Sequence, residues 1–323
     1  MKKITPILSL AFLFLLCQPP EQSTARYIPV AEEAKDPTKI YNLMGEELPE
    51  KVLTEKQKAL YESNLATAKE VFEAKTDSLA SIIWYGRRLA YLGRFLEAIQ
   101  VYSDGLRLFP DSYHLYRHRG HRYISTRQLA KAIKDYELAA YYSLHAENQI
   151  EPDGLPNKLN QPLGNDKFNV WYHFGLAYYL SGRYDKALSA YNKCQEFSDN
   201  NDLMVATTYW QYLTYMKLGN RELAMQLTEP ISASLKIIEN DPYKDLLLLF
   251  KGAVSADALL KKATNADGSL NPTIAYGIAS HYQHTGNLNK ANELFLRIVD
   301  SPQWDAFGYI AAEAELKTIF PVP

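Results

Sequence analysis

"WYHFGLAYYLSGRYDKALSAYNKC", residues 171 to 194, is the stretch from which the fold can be read, because it is not unique in the chain. Two earlier segments follow the same pattern: "WYGRRLAYLGRFLEAIQVYSDGLRLFP" (84 to 110) and "YRHRGHRYISTRQLAKAIKDYELAA" (116 to 140). Gly86 and Gly120, Ala98 and Ala132, and Tyr102 and Tyr136 are each 34 positions apart. Gly175, Ala187 and Tyr191 lie 55 positions further on, one period plus an insertion of 21 residues. Self-similarity at such a period marks an array of stacked units. The small residues stand where two helices of a hairpin approach closely, and a larger side chain there would overpack the crossing. Tyr102, Tyr136 and Tyr191 are expected to fill the gap to the next hairpin. A single hairpin cannot bury its own apolar face, so neighbours must stack. That use of an apolar ring with a polar rim accounts for much of the tyrosine, 24 residues in 323.

In the copy at 171 to 194, Trp171, Phe174, Gly175, Tyr178, Gly182, Tyr184, Ala187 and Tyr191 together resemble the tetratricopeptide repeat family. Its unit is a 34-residue helix hairpin with W-x2-L-G-x2-Y in the first helix and A-x3-F in the second. Tyr215, Gly219 and Ala224 mark a weaker copy, and Tyr282, Gly286, Ala291 and Phe295 a later one, with a degenerate unit around Gly252 and Ala258 between them. The resemblance implies an all-α fold, a right-handed superhelical solenoid. Six hairpins are expected from about 79 to 300, after a helix near 55 to 74, with "WDAFGYIAAEAEL" (304 to 316) as a C-terminal capping helix. The solenoid is expected over 55 to 318, with 319 to 323 as a tail.

The N-terminus reads as an export signal over residues 1 to 25. Lys2 and Lys3 precede a short apolar run from Ile4 to Leu16. Cleavage after Ala25, with Ser23 and Ala25 as the small residues, and lipidation of Cys17 as in bacterial lipoproteins both remain open; Leu16 departs from the small residue lipoproteins prefer. Periplasmic or other envelope localisation follows as an expectation. Residues 26 to 54, with Pro29, Pro37 and Pro49, read as an extended tether. Once Cys17 is removed or lipidated, Cys194 has no partner, and its place in the repeat is that of a small buried residue. A formal charge of −2 without long single-sign blocks argues against nucleic acid.

"YHLYRHRGHRY" (113 to 123) carries three histidines and three arginines. In the repeat frame Tyr116, Gly120 and Tyr123 point into the hairpin, which places His114, Arg117, His118 and His121 together on the other face. Arg87 and Tyr172 stand in register with them on neighbouring repeats, and the resemblance makes this the side that lines a concave groove. Three uses remain open: a solvated face whose arginines pair with Glu151 or Asp153 of the Pro-rich insertion at 143 to 168; a site for an acidic group of a partner; or a metal site. Arg117 opposes a cation among the histidines, so no metal and no cofactor is expected. The lysine and asparagine clamp with which chaperone-binding members of the family grip carboxyl termini is replaced here by Arg117 and His121, so that activity does not carry over. None of the common catalytic motifs occurs, and "EPDGLPN" is first of all a turn.

The expected function is therefore a non-enzymatic scaffold that binds a protein or peptide through the groove. The alternative is a small-molecule, metal or hydrolytic site built from residues 114 to 122 and the 143 to 168 loop. Convergence separates them, since an enzyme needs Glu151 or Asp153 within reach of the histidines in an enclosed pocket.

Overall fold

A computed structural model describes residues 35–320, and those from Pro37 onward belong to one compact unit. The expected export signal, Cys17, the first residues of the tether and the last three residues of the tail lie outside the described residues. Within them the chain is all-α, with fourteen helices and only isolated β-bridges. Helix α1 (Glu55–Ala74) opens with a capping box, in which Thr54 accepts from the Gln57 amide and Gln57 reaches back. Six antiparallel pairs follow: α2 (Leu79–Tyr91) with α3 (Phe95–Leu108), α4 (Tyr113–Ser125) with α5 (Leu129–Tyr142), α6 (Asp166–Leu180) with α7 (Tyr184–Gln195), α8 (Asn201–Lys217) with α9 (Arg221–Leu227), α10 (Asp241–Phe250) with α11 (Ala256–Ala263), and α12 (Pro272–His284) with α13 (Leu288–Val299). Helix α14 (Phe307–Ile319) ends the order. With the exception of α9 and α10, each helix packs on the next, and each first helix also touches the first helix of an adjacent pair, as stacked hairpins require.

The repeat glycines act within a hairpin, as the sequence suggested, and the tyrosines expected in the gap to the next hairpin fill that same crossing first, Tyr102 and Tyr136 reaching on to His118 and His173 of the following pair. A Cβ on Gly175 would stand 2.6 Å from the ring of Tyr191, one on Gly120 3.0 Å from Tyr136, and one on Gly86 would collide with Tyr102. The tyrosine is thus laid flat against the backbone of its own partner helix, and all three tyrosines are fully buried. Gly86→Ala and Gly175→Ala are expected to destabilise by about 1–3 kcal/mol through overpacking. Gly120→Ala should be close to neutral, because the looser contact is offset by about 1 kcal/mol of helix propensity. Urea unfolding of the three variants checks the ranking.

Helix α14 does more than cap the end. Besides α12 and α13 it touches α6, and Phe307 at its start packs tilted against His121 of α4 (ring centroids 5.3 Å apart) and edge-on against His173 of α6 (5.5 Å). Near its other end, Glu315 accepts from Lys217 of α8 and from Tyr276 and Gln283 of α12. The helix therefore lies across the face made by the first helices, where the sequence placed an open groove. Its glutamates explain why: Glu313 is fully buried and forms a bidentate pair with Arg127 at 2.6 and 3.0 Å. Residues 37–53, expected as a free tether, are tied to the same end of the array. The Leu43 amide donates to Glu313, Lys51 pairs with Asp305 at 2.7 Å, and Leu48 is buried.

The turns between paired helices repeat as well. Gly93 and Gly182 take positive φ (+82° and +70°), where glycine alone is free of strain. The equivalent turn of the second pair has Arg127 at φ +60°. Its guanidinium is what holds α14, so a strained backbone position is kept for a side chain that glycine cannot supply.

Candidate ligand-binding cavity

The insertion becomes an ordered strap. Helix α6 starts at Asp166, inside the stretch expected as loop, with Asn165 as its N-cap accepting from the Phe168 amide at 2.8 Å. The strap closes on itself through Ile150 and Asn165, with the Glu151 amide donating to the Gly164 carbonyl. Its tip then folds onto α2: Arg87 and Arg88 donate to the carbonyls of Pro152 and Gly154, each at 2.9 Å. Gly154 sits so close to the Tyr91 hydroxyl and the Arg87 guanidinium that any side chain there would have to push them aside.

Glu151 is the knot. Its carboxylate takes Arg117 at 3.0 Å and the Asn169 amide at 2.8 Å, with Arg87 at 3.7 Å and His118 at 3.8 Å. Arg87, Arg117 and Glu151 are about nine-tenths buried, so this is a largely desolvated cluster, not a solvated face. Arg117 also donates to His118 Nδ1 at 2.8 Å. Burial, with Arg117, Arg87 and Arg122 beside it, holds His118 well below the ordinary histidine range.

Glu151→Gln leaves two guanidiniums without their counter-charge. The strap tip is expected to open, and cleavage by trypsin after the exposed Lys158 should become at least about tenfold faster, equal to about 1.4 kcal/mol of local opening. Unchanged cleavage would mean the strap is held elsewhere.

Next to this knot lies a cavity of about 270 Å³. Arg87, Arg117, Glu151 and Asp153 form one side, Phe168, Tyr172 and Tyr243 an aromatic wall, and Glu239 and Asn240 the far edge. The wall is rigid because the Tyr172 hydroxyl accepts from Trp210 Nε1 at 2.8 Å and meets the Tyr243 hydroxyl at 3.1 Å. The far edge is pinned by buried Asp202, which accepts from the backbone amides of Ile238, Glu239 and Asn240. Arg117 Nε and Asp153 Oδ2 are buried atoms with no hydrogen-bond partner.

Of the residues singled out in the sequence, Arg87, Arg117, Glu151, Asp153 and Tyr172 come together at the cavity, with His118 behind them against Glu151. His114 and His121 do not join them. His114 faces Asp166 at 3.8 Å beside the Tyr113 ring, and His121 is packed between His173 and Phe307. No three His, Cys, Asp or Glu side chains are arranged around one metal position among the described residues. Tyr116 and Tyr123, read as core, are only half-buried and flank Arg119. Sequence reading missed Asn169, Glu239 and Tyr243. Asn169 stands three residues before Tyr172 on the same helix face and could have been found from that spacing; Glu239 and Tyr243 come from a distant pair and carried no local signal. Cys194 is fully buried beside Thr207, and burial pushes its thiol up to about 12, so it is not a reactive group.

Comparison with known proteins adds a match over one repeat. Residues 168–201 match the tetratricopeptide repeat family model. That tetratricopeptide repeat comprises nearly all of α6, the following α7 and the turn into α8, so the cavity's aromatic wall is built largely on it. Among solved structures the chain is similar to YrrB, described as a TPR protein with an unusual peptide-binding site, at 15% identity and a TM-score of 0.41, covering 77% of this chain and 97% of that one. It is also similar to a chain of Naa15/Naa10 bound to HypK-THB, at 15% identity and a TM-score of 0.35, covering 78% of this chain and 36% of the other. No curated protein matches the sequence.

Proposed function

We propose that this protein is a non-enzymatic scaffold of the cell envelope that binds a protein or peptide at the cavity between the strap, α6 and α10. The observation that carries the reading is the pair of unpartnered polar atoms, Arg117 Nε and Asp153 Oδ2, beside a braced aromatic wall. Tyrosine, tryptophan and arginine are the types that dominate interface energies, and a peptide backbone offers both the donor and the acceptor these atoms lack. Binding along the whole first-helix face would require α14 to leave it, so the reading is confined to the cavity and its rim. An acidic group of a partner would have to displace Glu151 from Arg87 and Arg117. The hydrolytic alternative needs a carboxylate free to move a proton to or from a histidine. Glu151 is already held by Arg117 and Asn169, and the histidines near the cavity, His118 and His173, are engaged with Glu151 and the Asn169 carbonyl and not with the free oxygen of Asp153.

Envelope localisation rests on Lys2, Lys3 and the run from Ile4 to Leu16. No helix among the described residues is long and apolar enough to cross a membrane. The mass of the mature chain distinguishes cleavage after Ala25 from a lipid on Cys17.

Selection from a displayed random-peptide library on the full chain tests the binding reading. Binders are expected to protect residues 151–153, 169–173 and 239–243 from hydrogen exchange. Binders that protect only other surfaces, or none at all, would reject it.

A further inference from the structure

We infer that the cavity recognises a primary ammonium group of its peptide partner, in the first place a free N-terminus. The inference rests on the binding reading above and names the chemistry of that same site. Charge decides the sign. The lining holds two cations, Arg87 and Arg117, against three carboxylates, Glu151, Asp153 and Glu239. Arg117 is directed at Glu151, and Arg87 is shared between Glu151 and Asp153, so Asp153 and Glu239 are left as the under-compensated pair.

Asp153 presents a buried oxygen without a partner. Glu239 has one oxygen on the Asn157 amide at 3.2 Å and is aimed by the backbone bonds that Asp202 makes to its own residue and both neighbours. Burial raises both carboxyls, and Asp153 adds to the shift of Glu239. A cation placed between them relieves both penalties at once.

The rest of the lining selects the kind of cation. Phe168, Tyr172 and Tyr243 line the cavity with aromatic rings, whose faces attract an ammonium group, while a hard metal ion would want six or more oxygens in place of aromatic carbon and a guanidinium. Arg117 Nε needs an acceptor. An N-terminal residue supplies the ammonium and, two bonds from it, a carbonyl. About 270 Å³ falls just below the usual range for small-molecule pockets and suits the first residue or two of a chain end. A lysine side chain carries the same ammonium without the adjacent carbonyl.

Three pools of random hexapeptides, each with a C-terminal fluorophore, separate these sources by fluorescence polarisation on the full chain. One has free N-termini and no lysine, the second is the same pool acetylated, and the third is acetylated and contains lysine. The free pool is expected to bind at least tenfold tighter than the acetylated one. Asp153→Asn and Glu239→Gln should each remove most of that difference while leaving the helical circular dichroism unchanged and without lowering the thermal midpoint. If the third pool matches the first, the ammonium chemistry stands with lysine as an accepted source. Equal binding of the first two pools, with the cavity still protected from exchange, would overturn the inference and leave the scaffold reading intact. Absence of cavity protection by every pool would overturn both.

Discussion

Glu313→Ala is expected to destabilise the protein by about 3–5 kcal/mol, the loss typical when one partner of a buried ion pair is removed. Arg127 and Glu313 are 3% and 0% exposed, and Arg127 also donates to the Ser125 and Trp304 carbonyls. Removing the glutamate strands a guanidinium that cannot be neutralised and frees the Leu43 amide as well. Arg127→Gly should cost less, for two reasons: glycine relieves the left-handed backbone at φ +60°, and the stranded Glu313, whose carboxyl burial already raises, can protonate. Urea unfolding followed by circular dichroism compares them. A loss below about 1 kcal/mol for Glu313→Ala would show that α14 is held on the first-helix face by its apolar contacts alone.

The second large effect is acid sensitivity. His118, His121 and His173 are all held below the ordinary histidine range, His173 at about 3, with burial as the main cause and Arg117 acting on each. Unfolding restores a value near 6.5, so the unfolded chain binds more protons below that point. The stability these residues contribute is complete above pH 6.5 and is lost as pH falls toward their folded values. Each adds a slope that approaches about 1.4 kcal/mol per pH unit once the unfolded imidazole is mostly charged. Between pH 6.5 and 5.5 the three together give about 3 kcal/mol per unit, and His284, held at about 4 chiefly by burial, adds to it. Asp135, Asp153, Glu239 and Glu313 are shifted upward by burial and oppose this trend, mostly at lower pH. Unfolding free energies between pH 6.5 and 5.5 are the useful window, and His173→Phe should lower the slope by about 1 kcal/mol per unit. An unaltered slope would mean that His173 charges in the folded protein.

Which parts of this were readable from residues alone differs between the array and the site. Spacing of Gly86, Gly120 and Gly175 against Tyr102, Tyr136 and Tyr191 revealed the hairpins, because each pair is a contact repeated at constant separation along the chain. Arg87, Arg117 and Tyr172 could likewise be placed near one another, since the repeat frame converts sequence register into proximity. Glu151 and Asp153 lie in the insertion outside that frame, and their pairing with the arginines is one of three readings the sequence leaves open. His121 was misplaced because nothing in its own repeat announces Phe307, 186 positions later. Glu239 and Tyr243 stayed hidden for the same reason, and Asp153 looked like a turn residue because local chemistry favours that reading.

Sequence by itself thus determined the all-α class, the period, and the tetratricopeptide pattern later matched at 168–201. These are local properties, written in i to i+3 and i+4 spacing and in one contact per hairpin. Tertiary structure alone decided that α14 lies over the first helices, that the strap's Glu151 neutralises the arginines, and that a cavity with an acid surplus remains beside them. Those outcomes depend on contacts between residues far apart in the chain, where a buried charge settles on whichever opposite charge the packing brings within reach.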